Sequence, residues 1–392
     1  MFSKFPGPTG PQTLAVTAPP QLGEVTPTPF RPACGHRPFA GVRHGVLRRV
    51  CTGLFAAVLL VLAACSDDST GPRPVVTQEL GLVLGSVDVS LTIFPVDSPS
   101  VARTVGLGPD GTPVGLAVRG RTAAVPLGTT PALVVVDVAQ GVVTRTIALP
   151  EGSGATGADF VNDSIVLVAN PNLGTVTPVN VRSGSRGSDI AVGVFPTFVR
   201  TVGDQVFVVN ANLENFQPAG PSSLTVIDAE TLTVTSTVDL SGENAQSAAV
   251  GPDGRVYVVN AGTFFGNNGT LSVVDPGTRA EVAFHEGFGD FPGSAAFAPD
   301  GTLYVSSFSY GVASWDASAR AFIRGPDDPI DPAGDGAASG VGVDGEGRLY
   351  VLEPECGAPA RTRRLRADLT IEVEIGVGVC PTSVVFTLVE VG

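Results

Sequence analysis

A short β-type run recurs along this chain at near-regular spacing, and that self-similarity constrains the fold more than any other feature. It reads Ile165-Val166-Leu167-Val168-Ala169-Asn170, Val206-Phe207-Val208-Val209-Asn210, Val256-Tyr257-Val258-Val259-Asn260, Leu303-Tyr304-Val305-Ser306-Ser307 and Leu349-Tyr350-Val351-Leu352. Asn170 and Asn210 are 40 residues apart, and Asn210 and Asn260 are 50 apart. Val258 to Val305 is 47 residues, and Val305 to Val351 is 46. A second run follows each first one, as in Leu224-Thr225-Val226-Ile227-Asp228 and Leu271-Ser272-Val273-Val274-Asp275. A leading strand such as 247–250 precedes it and a trailing strand such as 233–240 follows. Gly251-Pro252-Asp253-Gly254 and Ala298-Pro299-Asp300-Gly301 are turn signals that join the first two strands as hairpins.

Four short strands in each period predict a β-propeller blade. The runs are continuously apolar rather than alternating, which marks sheets packed on both faces. Radially stacked blades cover both faces. A parallel α/β sheet would also, but it needs helical periods between the runs, and none is present. Six blades are expected at 112–150, 154–193, 194–242, 243–289, 290–332 and 333–378. Segment 80–108 resembles the later strands of a repeat, and Pro381-Thr382-Ser383-Val384-Val385-Phe386 resembles a leading strand. Together they make a seventh blade. The expected fold is therefore all-β: a seven-bladed β-propeller of four-stranded antiparallel blades over 80–392, closed by a C-terminal strand pairing with the N-terminal sheet. That clasp removes an open sheet edge.

The Val-Tyr-Val-Val-Asn run, the Asp-ending strands and the period resemble YVTN-type, or YncE-like, seven-bladed propellers. The motif departs from that pattern at Ala123-Ala124-Val125-Pro126, Ser306-Ser307 and Leu352-Glu353. The resemblance implies a fold and says little about activity, because propellers host unrelated functions.

The N-terminal region reads as an address. Arg48-Arg49 precedes fifteen uncharged residues, 50–64, too short to span a bilayer, which takes about 20 apolar residues. Segment 46–64 fits a secretory signal. Its end, Leu62-Ala63-Ala64-Cys65, resembles the bacterial lipobox, in which the Cys is lipidated and becomes the mature N-terminus. A flexible tether is expected over 65–79. Ser66 after that Cys, by the same analogy, favours outer-membrane or surface delivery. Residues 1–45 are rich in Pro, Gly and Thr without apolar periodicity, so they are expected to be disordered, with translation starting near Val46. The expected location is the bacterial cell envelope, with a lipid anchor in the membrane.

Cysteine usage agrees. With Cys34 and Cys51 lost with the leader and Cys65 acylated, Cys356 and Cys380 remain. In an oxidising compartment they are best read as a disulfide pinning the clasp, with two buried thiols as the alternative.

Charge excludes one class of partner. Of 23 basic and 37 acidic groups, residues 1–64 hold six basic ones against Glu24, leaving the rest with 17 against 36. So acidic a body repels nucleic acid. Lys4 is the only lysine, so the propeller has no lysine for Schiff-base chemistry.

Candidate chemistry is sparse. His285 is the only histidine beyond the leader and no G-x-S-x-G elbow accompanies it, so a catalytic triad and a virginiamycin-lyase-like site are both disfavoured against a solvated histidine. Asp327, Asp328, Asp331 and Asp335 bunch in one loop that suits either calcium or plain solvation. Asn170, Asn210 and Asn260 end equivalent strands, where they either cap turns or line a ligand site. Phe264 and Phe265 in a long loop of the fourth repeat, with insertion 213–221 in the third, edge the same expected face. The leading functional reading is a monomeric, non-enzymatic scaffold binding a protein, peptide or glycan, with no catalytic residue and no resident cofactor or metal. The alternative is a lactonase-like hydrolase holding a divalent cation in the central channel. A quinone-dependent dehydrogenase is disfavoured because Trp315 is the only tryptophan.

Overall fold

The computed structural model describes residues 76–391 apart from Asp335. The expected leader, signal segment, Cys65 and most of the tether lie outside the described residues.

Seven four-stranded antiparallel sheets follow one another along the chain. Blade 1 is Ala117–Arg119, Thr122–Pro126, Ala132–Asp137 and Val142–Ala148. Blade 2 is Ala158–Phe160, Ile165–Asn170, Thr175–Asn180 and Ile190–Ala191. Blade 3 is Pro196–Val202, Gln205–Asn210, Pro221–Asp228 and Val234–Glu243, and blade 4 is Ala245–Val250, Val256–Asn260, Thr270–Asp275 and Ala280–Glu286. Blade 5 is Pro292–Phe297, Thr302–Ser307, Gly311–Asp316 and Ala321–Arg324, and blade 6 is Gly340–Val343, Leu349–Leu352, Pro359–Leu365 and Ile371–Val379. The seventh takes Val76–Gly85, Ser90–Pro95 and Arg103–Gly106 from the beginning and Pro381–Val391 from the end. The expected clasp is present and longer than its sequence signal, running from Gly85↔Pro381 to Val76↔Val391. The sheet accordingly begins at Val76, four residues before the expected start of the propeller.

Why the runs are continuously apolar is visible in the core. Buried apolar side chains form seven clusters, one in each gap between neighbouring blades. Successive residues of a strand point to opposite faces, so one strand feeds two clusters. Val206 and Val208 pack toward blade 2, while Phe207 and Val209 pack toward blade 4. Val256 and Val258 serve the gap with blade 3, and Tyr257 and Val259 the gap with blade 5.

Small residues on or just before the leading strands let neighbouring blades approach closely. A Cβ on Gly157 would lie 2.5 Å from the carbonyl oxygen of Thr197, so only glycine allows that approach. Hydroxyls stitch adjacent blades together: Thr156 donates to the carbonyl of Thr197, Thr197 to that of Ala245, and Ser247 to that of Gly293. Outward, the Asp that ends many third strands caps the following turn. Asp228, Asp275 and Asp316 each accept backbone N–H bonds from residues two or three ahead, which hold their carboxyls below the usual range.

Cys356 and Cys380 are bonded, with Cα atoms 4.1 Å apart. The bridge joins the loop after the second strand of blade 6 to the residue that opens the clasp, and the Cys380 N–H also donates to the Glu355 carbonyl. Structural disulfides of this kind persist in oxidising compartments. On the chain-entropy account a loop of this length is stabilised by about 3–4 kcal/mol. Reducing the bridge, or Cys356→Ser with Cys380→Ser, is expected to lower the melting temperature by about 5–10 °C. Calorimetry of oxidised and reduced protein checks this; an unchanged transition would remove the bridge from the account of closure.

Candidate functional site

In a four-stranded meander the loop after strand two and the loop that leads into the next blade emerge at the same end. Hydrogen bonds confirm it here: the Asn212 N–H donates to the Val194 carbonyl, the Ala261 N–H to that of Asn244, and the Gly269 N–H to that of Gly289. This loop-rich end is called the upper face below.

The three asparagines reach this face with their backbones only. Asn170, Asn210 and Asn260 are each 0 % exposed. Each turns its amide nitrogen into its own sheet, donating to two hydroxyls on strand three: Thr175 and Thr177, Ser223 and Thr225, Thr270 and Ser272, at 2.8 to 3.2 Å. The Asn210 Oδ1 also accepts the Gly193 N–H at 3.1 Å. These carboxamides act as internal pins between strands two and three, and the ligand-lining role has no surface on which to operate. The partner signal was in the sequence: a Ser or Thr stands at the first and third positions opposite each Asn. It acquires meaning only once the register is known. At the equivalent position of blade 5 the Ser307 hydroxyl instead donates to the Asp290 carbonyl at 2.6 Å, which ties strand two to the loop leading into the blade.

Phenylalanines occupy the surface instead. Phe265 is 85 % exposed and Phe216 67 %, with Phe264 and Phe308 also exposed. Phe264 and Phe265 both pack on Phe291, with ring centroids 5.4 and 5.2 Å apart, and Phe216 packs edge-on against Phe195 at 5.8 Å. Phe264 and Phe265 were legible as a long loop of the fourth repeat; Phe195, Phe216, Phe291 and Phe308 were not singled out. The available signal was the dipeptide Phe-Pro opening two leading strands, at Phe195-Pro196 and Phe291-Pro292.

The backbone beneath these rings is unusual. Phe195, Phe216, Phe265 and Phe291 have φ of 55°, 61°, 59° and 51°, the left-handed region that costs an L-residue about 1–2 kcal/mol. Phe195, Asn244, Phe291 and Cys380 share one structural position, the residue immediately before the leading strand of blades 3, 4, 5 and 7. Phe216 follows Asn215 at the tip of a two-residue hairpin between Leu213–Glu214 and Gln217–Pro218, with both tip residues at positive φ. Such turns favour glycine at the second place. A large apolar ring stands there instead, turned to solvent.

The other candidates have partners within the fold. His285 lies on the outer strand of blade 4 with its ring 5.0 Å from that of Trp315, and burial there lowers its pKa. In the acidic loop Asp328 pairs with Arg324 at 2.7 Å, and Asp331 accepts the N–H groups of Gly334 and Gly336; Asp335 lies outside the described residues. At the lower end of the axis a cavity of about 410 Å³ is lined by Arg119, Asp159, Arg200 and Thr201 among others. Both Asp159 oxygens there accept backbone N–H bonds, from Phe160 and Thr201. Among the described residues no three His, Cys, Asp or Glu side chains converge as metal ligands do.

Loss of a pin is expected to be costly. Asn210→Ala strands the Ser223 and Thr225 hydroxyls without that donor, and about 2–3 kcal/mol of stability is expected to go with it. A urea titration of wild type and variant measures this directly; a change under 0.5 kcal/mol would discard the pinning role.

No protein-family model and no curated protein matches the chain. Among solved structures it is similar to a chain of Kuenenia stuttgartiensis hydrazine synthase, at 15% identity and a TM-score of 0.54, over 71% of this chain and 96% of that one. At that identity the likeness shows the seven-bladed propeller fold alone.

Proposed function

We propose that this chain is a non-enzymatic binding scaffold of the cell envelope, lipid-anchored through Cys65, whose binding surface is the phenylalanine rim on the upper face of blades 3–5. The observation that carries the reading is the group of Phe rings held toward solvent on left-handed backbone. Strain of this sort persists where the surrounding structure over-determines it, and it clusters at functional positions. Exposed aromatic groups on a stiff frame lose little conformational entropy when a partner covers them. The bound molecule is a protein or peptide. The reading as an envelope lipoprotein of the YVTN type rests on the sequence signals and on the disulfide, which suits an oxidising compartment.

Two substitutions separate binding from folding. In Phe216→Gly and Phe265→Gly, release of about 1–2 kcal/mol of backbone strain offsets a lost ring contact of about 0.5–1.5 kcal/mol. Stability is therefore expected to stay within about 1 kcal/mol of wild type. Peptides selected from a random displayed library against the full chain are expected to bind the double variant at least tenfold more weakly, the size of a lost hot spot. Selected peptides that tolerate both changes would move the binding surface elsewhere. For the anchor, cells fed labelled palmitate are expected to label the chain, and Cys65→Ser is expected to abolish the label. Undiminished labelling of Cys65→Ser would remove that cysteine as the acylated residue.

A further inference from the structure

The two ends of the propeller differ in charge, and the division follows the topology. The loops of the upper face are those after each second strand and those leading into each next blade. Along the sequence they run 86–89, 107–116, 127–131, 149–157, 171–174, 192–195, 211–220, 244, 261–269, 287–291, 308–310, 325–339, 353–358 and 380. Not one Lys, Arg or His occurs in them. Acids do, on nearly every blade, Asp88, Asp110, Glu151, Glu214, Asp290 and Glu355 among them. Among the described residues eight arginines lie in the loops of the opposite end, Arg121, Arg182, Arg255, Arg279, Arg320 and Arg366 among them, and eight stand on strands. Three arginines on strands approach the upper face, Arg324, Arg361 and Arg363, and each is paired: with Asp328 at 2.7 Å, with Glu374 at 3.5 Å, and with Glu353 at 3.3 Å and Glu374 at 3.0 Å.

The lower end is not simply basic. It carries acids as well, such as Asp163 and Asp344, which pair locally with Arg119 and Arg348. The upper-face loops alone carry a single sign of charge, and two of their acids stand beside the Phe rings, Glu214 in the hairpin of Phe216 and Asp290 next to Phe291.

From this juxtaposition we infer that the occupant of the phenylalanine rim is a basic peptide segment, one that carries Arg or Lys side chains interleaved with apolar ones. The inference rests on the binding reading above and narrows it to a partner class. Apolar side chains of the segment cover Phe216, Phe264 and Phe265. Its cations face the acidic loops around the rim, and guanidinium or ammonium groups also lie favourably over exposed aromatic faces. A surface field of one sign steers an oppositely charged partner and discriminates against acidic ones, at a rate that falls as salt screens it. An acidic or neutral partner would gain the ring contacts and none of this attraction.

Three twelve-residue peptides test it against the full chain: alternating Arg and Leu, alternating Ser and Leu, and alternating Glu and Leu, each with a fluorophore for anisotropy. The Arg peptide is expected to bind at least tenfold tighter than the Ser peptide at low salt, with the gap closing toward 0.5 M salt, and the Glu peptide weakest. Asp110→Lys with Glu151→Lys and Glu214→Lys is expected to shrink the Arg preference by at least fivefold. Asp163→Lys with Asp204→Lys, at the opposite end, is expected to leave it unchanged. Phe216→Gly with Phe265→Gly is expected to weaken the Arg and Ser peptides alike. Equal affinity for all three peptides, with loss on the Phe variants, would overturn the charge inference and leave the rim as the binding surface. Charge-dependent binding indifferent to the Phe variants, or equally sensitive to reversal at the lower end, would overturn both.

Discussion

The interior strands of this protein are buried on both faces over most of their length, and the ring exists to make that true. A sheet whose alternate residues are Val206 and Val208 on one side and Phe207 and Val209 on the other has no face to give to water. Each blade needs a neighbour on both sides, so a linear stack would always leave two apolar faces bare. Bending the stack into a circle removes both ends at once. The clasp of Pro381–Val391 on Val76–Gly85 therefore completes the core, and the clusters on either side of the seventh blade depend on it.

That stiffness is what the upper face uses. The asparagine pins lock strands two and three, the hydroxyl stitches hold leading strands close to the axis, and the disulfide fixes the residue at which the clasp enters. Loops tied down at both ends by such elements can hold residues in conformations they would leave if free. Phe195 and Phe291 are held at positive φ directly before a proline, in a place that another blade fills with Asn244. The ring interior supplies the rigidity, and a few loop residues carry the surface chemistry.

Much of this was legible beforehand, and the reasons are specific. The run Val256–Val259 announces a strand buried on both faces because charged and amide side chains are missing from both sets of alternate positions. Gly251 to Gly254 announces its turn because Pro and Gly have narrow conformational uses, and the Gly254 N–H does donate to the Gly251 carbonyl. The closing strand was legible because Pro381–Phe386 repeats the pattern of Pro292–Phe297. Asn260 was harder. An amide at the end of a strand serves a turn, a ligand or a neighbouring strand equally well, and the choice depends on what lies opposite. The register put Thr270 and Ser272 there. Phe216 shows the converse, since a lone Phe within a polar loop reads as an incidental residue until its exposure and its φ are known.

By itself the sequence determined the repeat, the number of blades, the pairing of the two ends and the pairing of Cys356 with Cys380. These follow from periodicity and from hydrophobic pattern, which are local properties repeated along the chain. Only the tertiary structure decided which polar residues face inward, which aromatic rings face out, and that loops separated by hundreds of residues, none of them carrying a basic residue, converge on one face. Those are properties of residues brought together from different blades. Local pattern carries no record of them, because a side chain's surroundings are set by the neighbours that folding delivers.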